Sequence, residues 1–367
     1  MSRTHPHLLH VVPTLRAGGM EMALSRVVNG LLAEGVSHTI VVLKGEAIIR
    51  DQFDPAVNIH CFHAQPYDVS VLLRFRRLIR AERPSVIHAR NLGAWPEVAL
   101  ARLSVWPVVP LVFSFHGLAE AKPLPWRWRL MSRWLARPTS HVFTVSQGSK
   151  QFLTGQVGLP ASRVAVIPNG VDTSRFSPSP KPAVCQERRV GTLGSLTPVK
   201  NQALLVRACH RLIQGGIKLS LEIAGEGPER PALEHLIQSL GMSKSIRLTG
   251  HLADTPAFLR KLDVFVLPSD SEAHPNALSE AMACGLPCIA TRVGGVSEIL
   301  DQGRAGLIVD PGDEQGLAEA IKTLLGDPAI RQVFAVAARK RVCEQYSMNA
   351  MLDRYRKLYW RLSSESC

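Results

Sequence analysis

Residues 269–295 read SDSEAHPNALSEAMACGLPCIATRVGG, and the order of residue types in this stretch decides the fold. The apolar run Val264 to Leu267 leads into it and stops at Pro268-Ser269, which predicts a buried strand. A polar loop follows, carrying Glu272, His274 and Pro275. Asn276 to Cys284 is rich in Ala, Leu, Glu and Met, so a helix is expected there with Asn276 as its cap. Gly285 and Pro287 end that helix, and Cys288 to Thr291 predicts the next strand. The unit is strand–loop–helix–strand, with two carboxylates, Glu272 and Glu280, separated by seven residues.

That arrangement suits a ligand carrying both phosphate and hydroxyl groups. Glu272 lies on the loop beyond the carboxyl end of a strand, where open α/β sheets bind ligands. Glu280 lies in the second helical turn and can reach the same crevice. Between them is a helix start, Pro275-Asn276-Ala277-Leu278, whose N–H groups and dipole favour an anion.

The pattern continues outward in both directions. Upstream, Arg189 to Ser195 predicts a strand, followed by LTPVKNQ with Lys200 and a helix from about Asn201. Leu219 to Gly227 and Ile246 to Gly250 predict further strands, the second followed by His251. Downstream, Gly306 to Asp310 predicts a last strand; helices are expected at Glu314–Leu325, Pro328–Gln345 and Met348–Leu362. The first half alternates in the same way. Its strand-like runs are His7–Thr14, His38–Leu43, Asn58–Phe62, Ser85–Ala89, Val109–His116, His141–Val145 and Val164–Pro168. Apolar strands alternating with helices imply parallel sheets covered on both faces. Two places in this half are candidate sites. Gly18-Gly19 sits between a strand and a helix start, a plausible anion cradle that lets backbone approach a ligand. His116 ends a central strand ahead of Gly117.

Composition sets the remaining bounds. A chain of 367 residues is long enough for two domains with separate cores. The Pro-rich stretch 177–183 marks the boundary, giving an expected first domain at 1–178, a second at 184–346 and a terminal helix at 347–367. Seven scattered cysteines predict free thiols in a reducing cytoplasm, and Cys284 and Cys288 are read as packing. No secretory leader and no membrane-spanning run are expected. Residues 1–180 hold 20 Lys/Arg against 10 Asp/Glu, and the remainder 23 against 20. No nucleic-acid motif accompanies that positive charge, so nucleic acid is not expected as a partner. Lys122 to Pro138, KPLPWRWRLMSRWLARP, places Trp128, Met131, Trp134 and Leu135 near helical spacing among four arginines. It fits either a core helix or a helix lying on an anionic membrane surface.

The 27-residue stretch resembles the E-x7-E signature of the retaining family 4 glycosyltransferases, with Ala273 where that family mostly has Gly and His274 where it mostly has Phe. The resemblance extends over nearly the whole chain. It implies the GT-B fold: two Rossmann-like α/β domains around an interdomain cleft, acceptor on the first and nucleotide-sugar donor on the second. It implies transfer of a sugar, from a UDP-sugar first and GDP-mannose second, to a lipid-linked or polysaccharide acceptor in exopolysaccharide or lipopolysaccharide biosynthesis. Glu272 would hold sugar hydroxyls, Glu280 the ribose, Lys200 the diphosphate and His116 the donor sugar. Gly18 and Gly19 would lie near the phosphates, the backbone at Pro275–Leu278 would stabilise the departing diphosphate, and Gly250 and His251 would read the base through backbone. The family usually carries an Arg where this chain has Ser195, five positions before an intact Lys200-Asn201; Arg292 is a candidate replacement by proximity. With no Asp-x-Asp motif, no cofactor and no metal are expected. The place of action is expected to be the cytoplasm, at the inner face of the membrane. A nucleotide-sugar epimerase or hydrolase of the same shape, a two-lobed sugar-binding protein and a weakly active homologue are the alternatives.

Overall fold

The computed structural model describes residues 5–16, 18–65, 68, 70–117, 125–178 and 188–364. The chain divides into two compact units, one of Met1–Gly170 with Asn349–Cys367 and the other of Val171–Met348. Most of the Pro-rich boundary stretch, residues 122–124 of the Trp-rich segment, and Cys185 and Cys367 lie outside the described residues.

The first unit holds strands β1 (His7–Val12), β2 (Ser37–Val42), β3 (Asn58–Cys61), β4 (Val86–Arg90), β5 (Leu111–Phe115), β6 (His141–Thr144) and β7 (Val164–Val166). Helices α1 (Gly19–Leu32), α2 (Ser70–Glu82), α3 (Trp95–Leu103), α4 (Trp126–Ala136) and α5 (Gln147–Phe152) alternate with them. The sheet order is β3-β2-β1-β4-β5-β6-β7, and every pairing is parallel. The order reverses between β1 and β4, so the loops after these two strands part at one edge and leave a crevice.

One face of this sheet is apolar. Leu9, Val11, Ile87 and Phe113 pack against Phe75 of α2, Trp95 of α3 and Leu135 of α4. Trp95 stacks on Phe113 with ring centres 3.8 Å apart, and its indole N–H donates to Thr139 Oγ1 at 3.0 Å. The opposite face is mixed. Val12, Ile40 and Val42 meet Leu24 and Val28 of α1. Beside them His10, His38 and His88 are buried, with His10 Nε2 3.1 Å from His38 Nδ1.

The second unit holds β8 (Arg188–Leu193), β9 (Leu219–Ala224), β10 (Ile246–Gly250), β11 (Val264–Leu267), β12 (Cys288–Thr291) and β13 (Leu307–Val309). Its helices are α6 (Gln202–Gln214), α7 (Arg230–Ser239), α8 (Thr255–Lys261), α9 (Asn276–Ala283), α10 (Val296–Ile299), α11 (Glu314–Gly326) and α12 (Pro328–Gln345). The order is β10-β9-β8-β11-β12-β13, again all parallel, with the reversal between β8 and β11. A core under α6, α7 and α11 covers one face and a core under α8, α9 and α12 the other. Cys284 and Cys288 belong to the latter; burial raises both thiols, Cys284 to about 11. The last helix, α13 (Met348–Ser364), belongs from Asn349 onward to the first unit, where Tyr355 and Tyr359 are buried.

Burial first, and then the neighbouring Arg90 and histidines, holds His10 and His88 well below the usual histidine range. His38 is lowered to about 3 by burial, His7 and Arg90. In the unfolded chain these rings take up protons near pH 6.5. A lowered folded value makes stability full above that pH and progressively lost below it, as protons favour the unfolded state. His38 alone is expected to cost about 2 kcal/mol between pH 7 and pH 5. Thermal melting should therefore show the first unit unfolding earlier at pH 5 than at pH 7.5, and His38→Leu should flatten that dependence. Equal slopes in both proteins would show that His38 titrates normally.

Candidate functional site

The two strands at the reversal point of the second unit bring Lys200 and Glu272 together. After β8 the chain makes a single tight turn, Pro198–Lys200, and Asn201 adopts φ 44°. Asparagine tolerates that left-handed backbone. Its side-chain oxygen caps α6 by accepting from Leu204 N at 3.3 Å, while its amide nitrogen donates to Asp270 Oδ1 at 3.0 Å. Asp270 N in turn donates to Val199 O at 2.8 Å. The loop after β8 is thus laced to the loop after β11.

The lacing sets Lys200 Nζ 2.5 Å from Glu272 Oε1. Ser269 Oγ donates to the same oxygen at 2.9 Å, and Thr291 Oγ1, from β12, donates to the Ser269 carbonyl. The Glu272 side chain is 8% exposed and that of Lys200 25%. A charged pair this sheltered is strong only while both members and their extra hydrogen bonds remain. Separate roles for the two residues are the sequence expectation; the structure makes each the other's counterion.

Helix α9 begins immediately beyond. Pro275 occupies the cap position with φ −72° and ψ 107°, and Asn276 is already helical. This corrects the expected cap. Proline holds the extended backbone that a cap requires, so the helix opens at Asn276, one residue earlier than an Asn276 cap would give, and no side chain closes its start. Ala277 and Leu278 complete the first turn with Leu278 fully buried, and Glu280 is buried in the second. Gly285, at φ 69°, ends the helix as expected. His274 is buried, neither ring nitrogen has a hydrogen-bond partner among the described residues, and its ring centre lies 5.5 Å from that of Tyr346. Burial lowers it to about 4, so it packs as a neutral aromatic ring.

Two close-packed turns form the neighbouring rim, and they require glycines whose role sequence reasoning missed. A Cβ on Gly225, at φ 139°, would fall 1.9 Å from Gly194 O, and one on Gly227 would fall 2.3 Å from Leu196 O. The Ala224-Gly225-Glu226-Gly227 spacing was the available signal. Ser195 is exposed on this rim, with its carbonyl accepting from Gln202 Nε2 at 3.0 Å. Gly250 adopts φ 76° and its carbonyl accepts from Gly225 N at 2.9 Å; His251 follows on the surface. Arg292 is exposed and paired with Asp310 at 3.1 Å.

In the first unit, Gly18 and Gly19 open α1 without a side-chain cap. The space a Gly18 Cβ would take is filled by the Glu21 carboxylate, 2.5 Å away. Burial raises the Glu21 carboxyl, and Arg90 partly opposes that. His116 stands just past β5, and its backbone N–H donates to Asn91 Oδ1 at 2.8 Å. Its ring is lowered well below the usual range by burial and then by Arg90. On α4, Trp126, Trp128, Leu130 and Trp134 are 39–69% exposed beside exposed Arg127, Arg129 and Arg133. Among the described residues no group of His, Cys, Asp and Glu could hold a metal ion, and no helix is long and apolar enough to cross a membrane.

Residues 17–175 match the family model described as Glycosyltransferase Family 4, and residues 187–327 match the one described as Glycosyl transferases group 1. The chain is 28% identical to glycogen synthase of Mycobacterium tuberculosis, covering 96% of this chain and 89% of that protein. It is 29% identical to the lipopolysaccharide core biosynthesis glycosyltransferase LpsE of Rhizobium meliloti, covering 93% and 95%. The structure of Anabaena HepE in complex with UDP-glucose is similar in fold, with a TM-score of 0.82 and 22% identity over 96% of this chain and 99% of that one.

The ion pair has a direct test. Lys200→Met leaves Glu272 buried and unpaired, and is expected to destabilise its surroundings by about 3 kcal/mol. Adding Glu272→Gln removes the stranded charge and should recover much of the loss. Hydrogen exchange of peptides spanning Lys200 to Thr291 should be fast in the single variant and near the parent in the double. Losses that simply add would show that the two residues are not coupled.

Proposed function

The chain belongs to the family 4 glycosyltransferases, and from that premise we propose that it moves a sugar from a nucleotide diphosphate sugar to a hydroxyl of a glycan or glycolipid acceptor, with retention at the anomeric carbon. The observation that carries the reading is the Lys200–Glu272 pair beside the uncapped start of α9. A leaving diphosphate is an anion, and this edge offers it an ammonium and the positive end of a helix. Donor binding exchanges partners: Lys200 turns to the diphosphate, and the released Glu272 accepts hydrogen bonds from the sugar hydroxyls. The N–H groups of Pro275–Leu278's helical residues meet phosphate oxygens, and Glu280 accepts from the ribose. Gly250 and His251 read the base through backbone. In the first unit Gly18 and Gly19 present a helix start, and His116 gives a hydrogen bond to a sugar hydroxyl bound at that edge.

In the reaction the bond from the anomeric carbon to the diphosphate oxygen breaks, and its electron pair stays on that oxygen. The acceptor oxygen bonds to the same face of the carbon, and its proton leaves with the diphosphate. No metal is required, because the ammonium and the helix dipole supply the positive potential. The donor is a UDP-sugar; HepE's complex with UDP-glucose supports this. The acceptor belongs to cell-surface glycan synthesis, a reading supported by LpsE and by the surface of α4. Its exposed Trp rings and arginines suit the headgroup depth of an anionic membrane, next to a lipid-linked acceptor.

Two measurements check this reading. A panel of nucleotide sugars, assayed for binding and slow hydrolysis, should identify one donor, with Glu272→Ala and Lys200→Ala lowering turnover on it about a hundredfold or more; excess EDTA should leave turnover unchanged. No binding across the panel would overturn the transferase mechanism, and Mn2+-dependent rescue after EDTA would overturn metal independence. Separately, vesicles of phosphatidylglycerol should bind the protein, and Trp128→Ala with Trp134→Ala should weaken that binding without lowering the melting temperature. Unchanged binding would remove the membrane role of α4.

A further inference from the structure

A chain of buried hydrogen bonds runs through the first unit to His116, and one fixed donor orients all of it. Arg90 is fully buried, at the carboxyl end of β4. Its Nη1 lies 3.3 Å from His116 Nε2 and 3.5 Å from the Tyr355 hydroxyl. A guanidinium has only donors, so Nη1–H donates and His116 Nε2 must offer a lone pair. The ring hydrogen of His116 therefore sits on Nδ1.

The remaining assignments follow in turn. Ser114 Oγ lies 2.8 Å from the same Nε2; with the ring hydrogen on Nδ1 the hydroxyl donates into the single lone pair that it shares with Arg90. Ser114 Oγ is then the acceptor for His88 Nε2, 2.7 Å away, which places the His88 hydrogen on Nε2. His88 Nδ1 is left as an acceptor and takes the Tyr359 hydroxyl hydrogen at 2.7 Å. Burial raises the Tyr359 phenol, which keeps that hydrogen in place. Tyr359 lies on α13 and His88 on β4, 271 positions apart in the chain. The relay thus runs from the terminal helix to the edge of the sheet with every bond pointing one way, an arrangement in which each bond polarises the next. It ends at His116 Nδ1, which is buried and has no hydrogen-bond partner among the described residues.

We propose that Tyr359, His88, Ser114 and Arg90 are positioning residues that hold His116 as the Nδ1–H tautomer, so that it presents a fixed hydrogen-bond donor, and no base, to an oxygen of the bound substrate. The tautomer stands on the geometry alone; its use on a sugar hydroxyl rests on the function proposed above. The acceptor proton accordingly does not pass through His116.

Nitrogen-15 labelling of histidine and long-range proton–nitrogen correlation at pH 7.5 read the tautomers directly, with His116 and His88 assigned from His116→Gln and His88→Gln. His116 should show Nδ1–H and His88 Nε2–H. Tyr359→Phe keeps the ring and the packing but removes the donor to His88; it should loosen the His88 assignment and lower kcat about tenfold with little change in the donor KM. His116→Asn, whose amide nitrogen replaces the Nδ1 donor, should retain activity within about tenfold of the parent, and His116→Ala should lose about a hundredfold. His116 found as Nε2–H or as imidazolium would overturn the proposal, as would equal losses in the Asn and Ala variants. If no sugar donor is ever found, the spectra still decide the tautomer, so failure of the relay and failure of the transferase reading are told apart.

Discussion

In each sheet every strand runs the same way, so every loop that follows a strand emerges on one edge. That constraint organises the rest. Where the strand order reverses, between β1 and β4 and again between β8 and β11, adjacent loops diverge and leave room for a ligand. Lys200 follows β8 and Glu272 follows β11 at one reversal, and Gly18 follows β1 at the other; His116 stands beyond β5, one strand further along the sheet.

The two edges handle charge differently. In the second unit an ammonium and a carboxylate meet at 2.5 Å in a sheltered place, where each offsets the other's burial. In the first unit the polar groups are mostly neutral. Arg90 lies within hydrogen-bond distance of His116 and the Tyr355 hydroxyl, and its guanidinium is 5.7 Å from the Tyr355 ring centre. Such a network tolerates burial only if its hydrogens are arranged consistently, and a donor-only guanidinium at one end makes them so.

Much of the local structure was legible from residue types. Val264–Leu267, Cys288–Thr291 and Ile246–Gly250 form strands at the bounds their apolar runs suggest, and Pro328–Gln345 is a helix over its full expected length. The cap of α9 was misread because Asn is the commoner cap, while here Pro275 already holds the needed backbone. The rim glycines, Gly225 and Gly227, were read only as the end of the strand expected over Leu219 to Gly227. Their packing partners, Gly194 and Leu196, come from a different loop.

The sequence by itself determined the alternation of strands and helices, the presence of Lys200, Glu272 and His116 on the loops that follow strands, and that of Glu280 in the second turn of a helix. Those properties depend on near neighbours in the chain: apolar periodicity, turn residues and capping act over a few positions. Tertiary structure alone decided that Lys200 pairs with Glu272, 72 positions away, and that Tyr359 reaches His88 across 271. It also decided that His274 is a neutral packing ring and that Arg292 is engaged by Asp310. The physical reason is the same in each case. A charge or a hydrogen-bond direction is set by what lies within a few ångströms, and in a parallel sheet those neighbours arrive from distant segments.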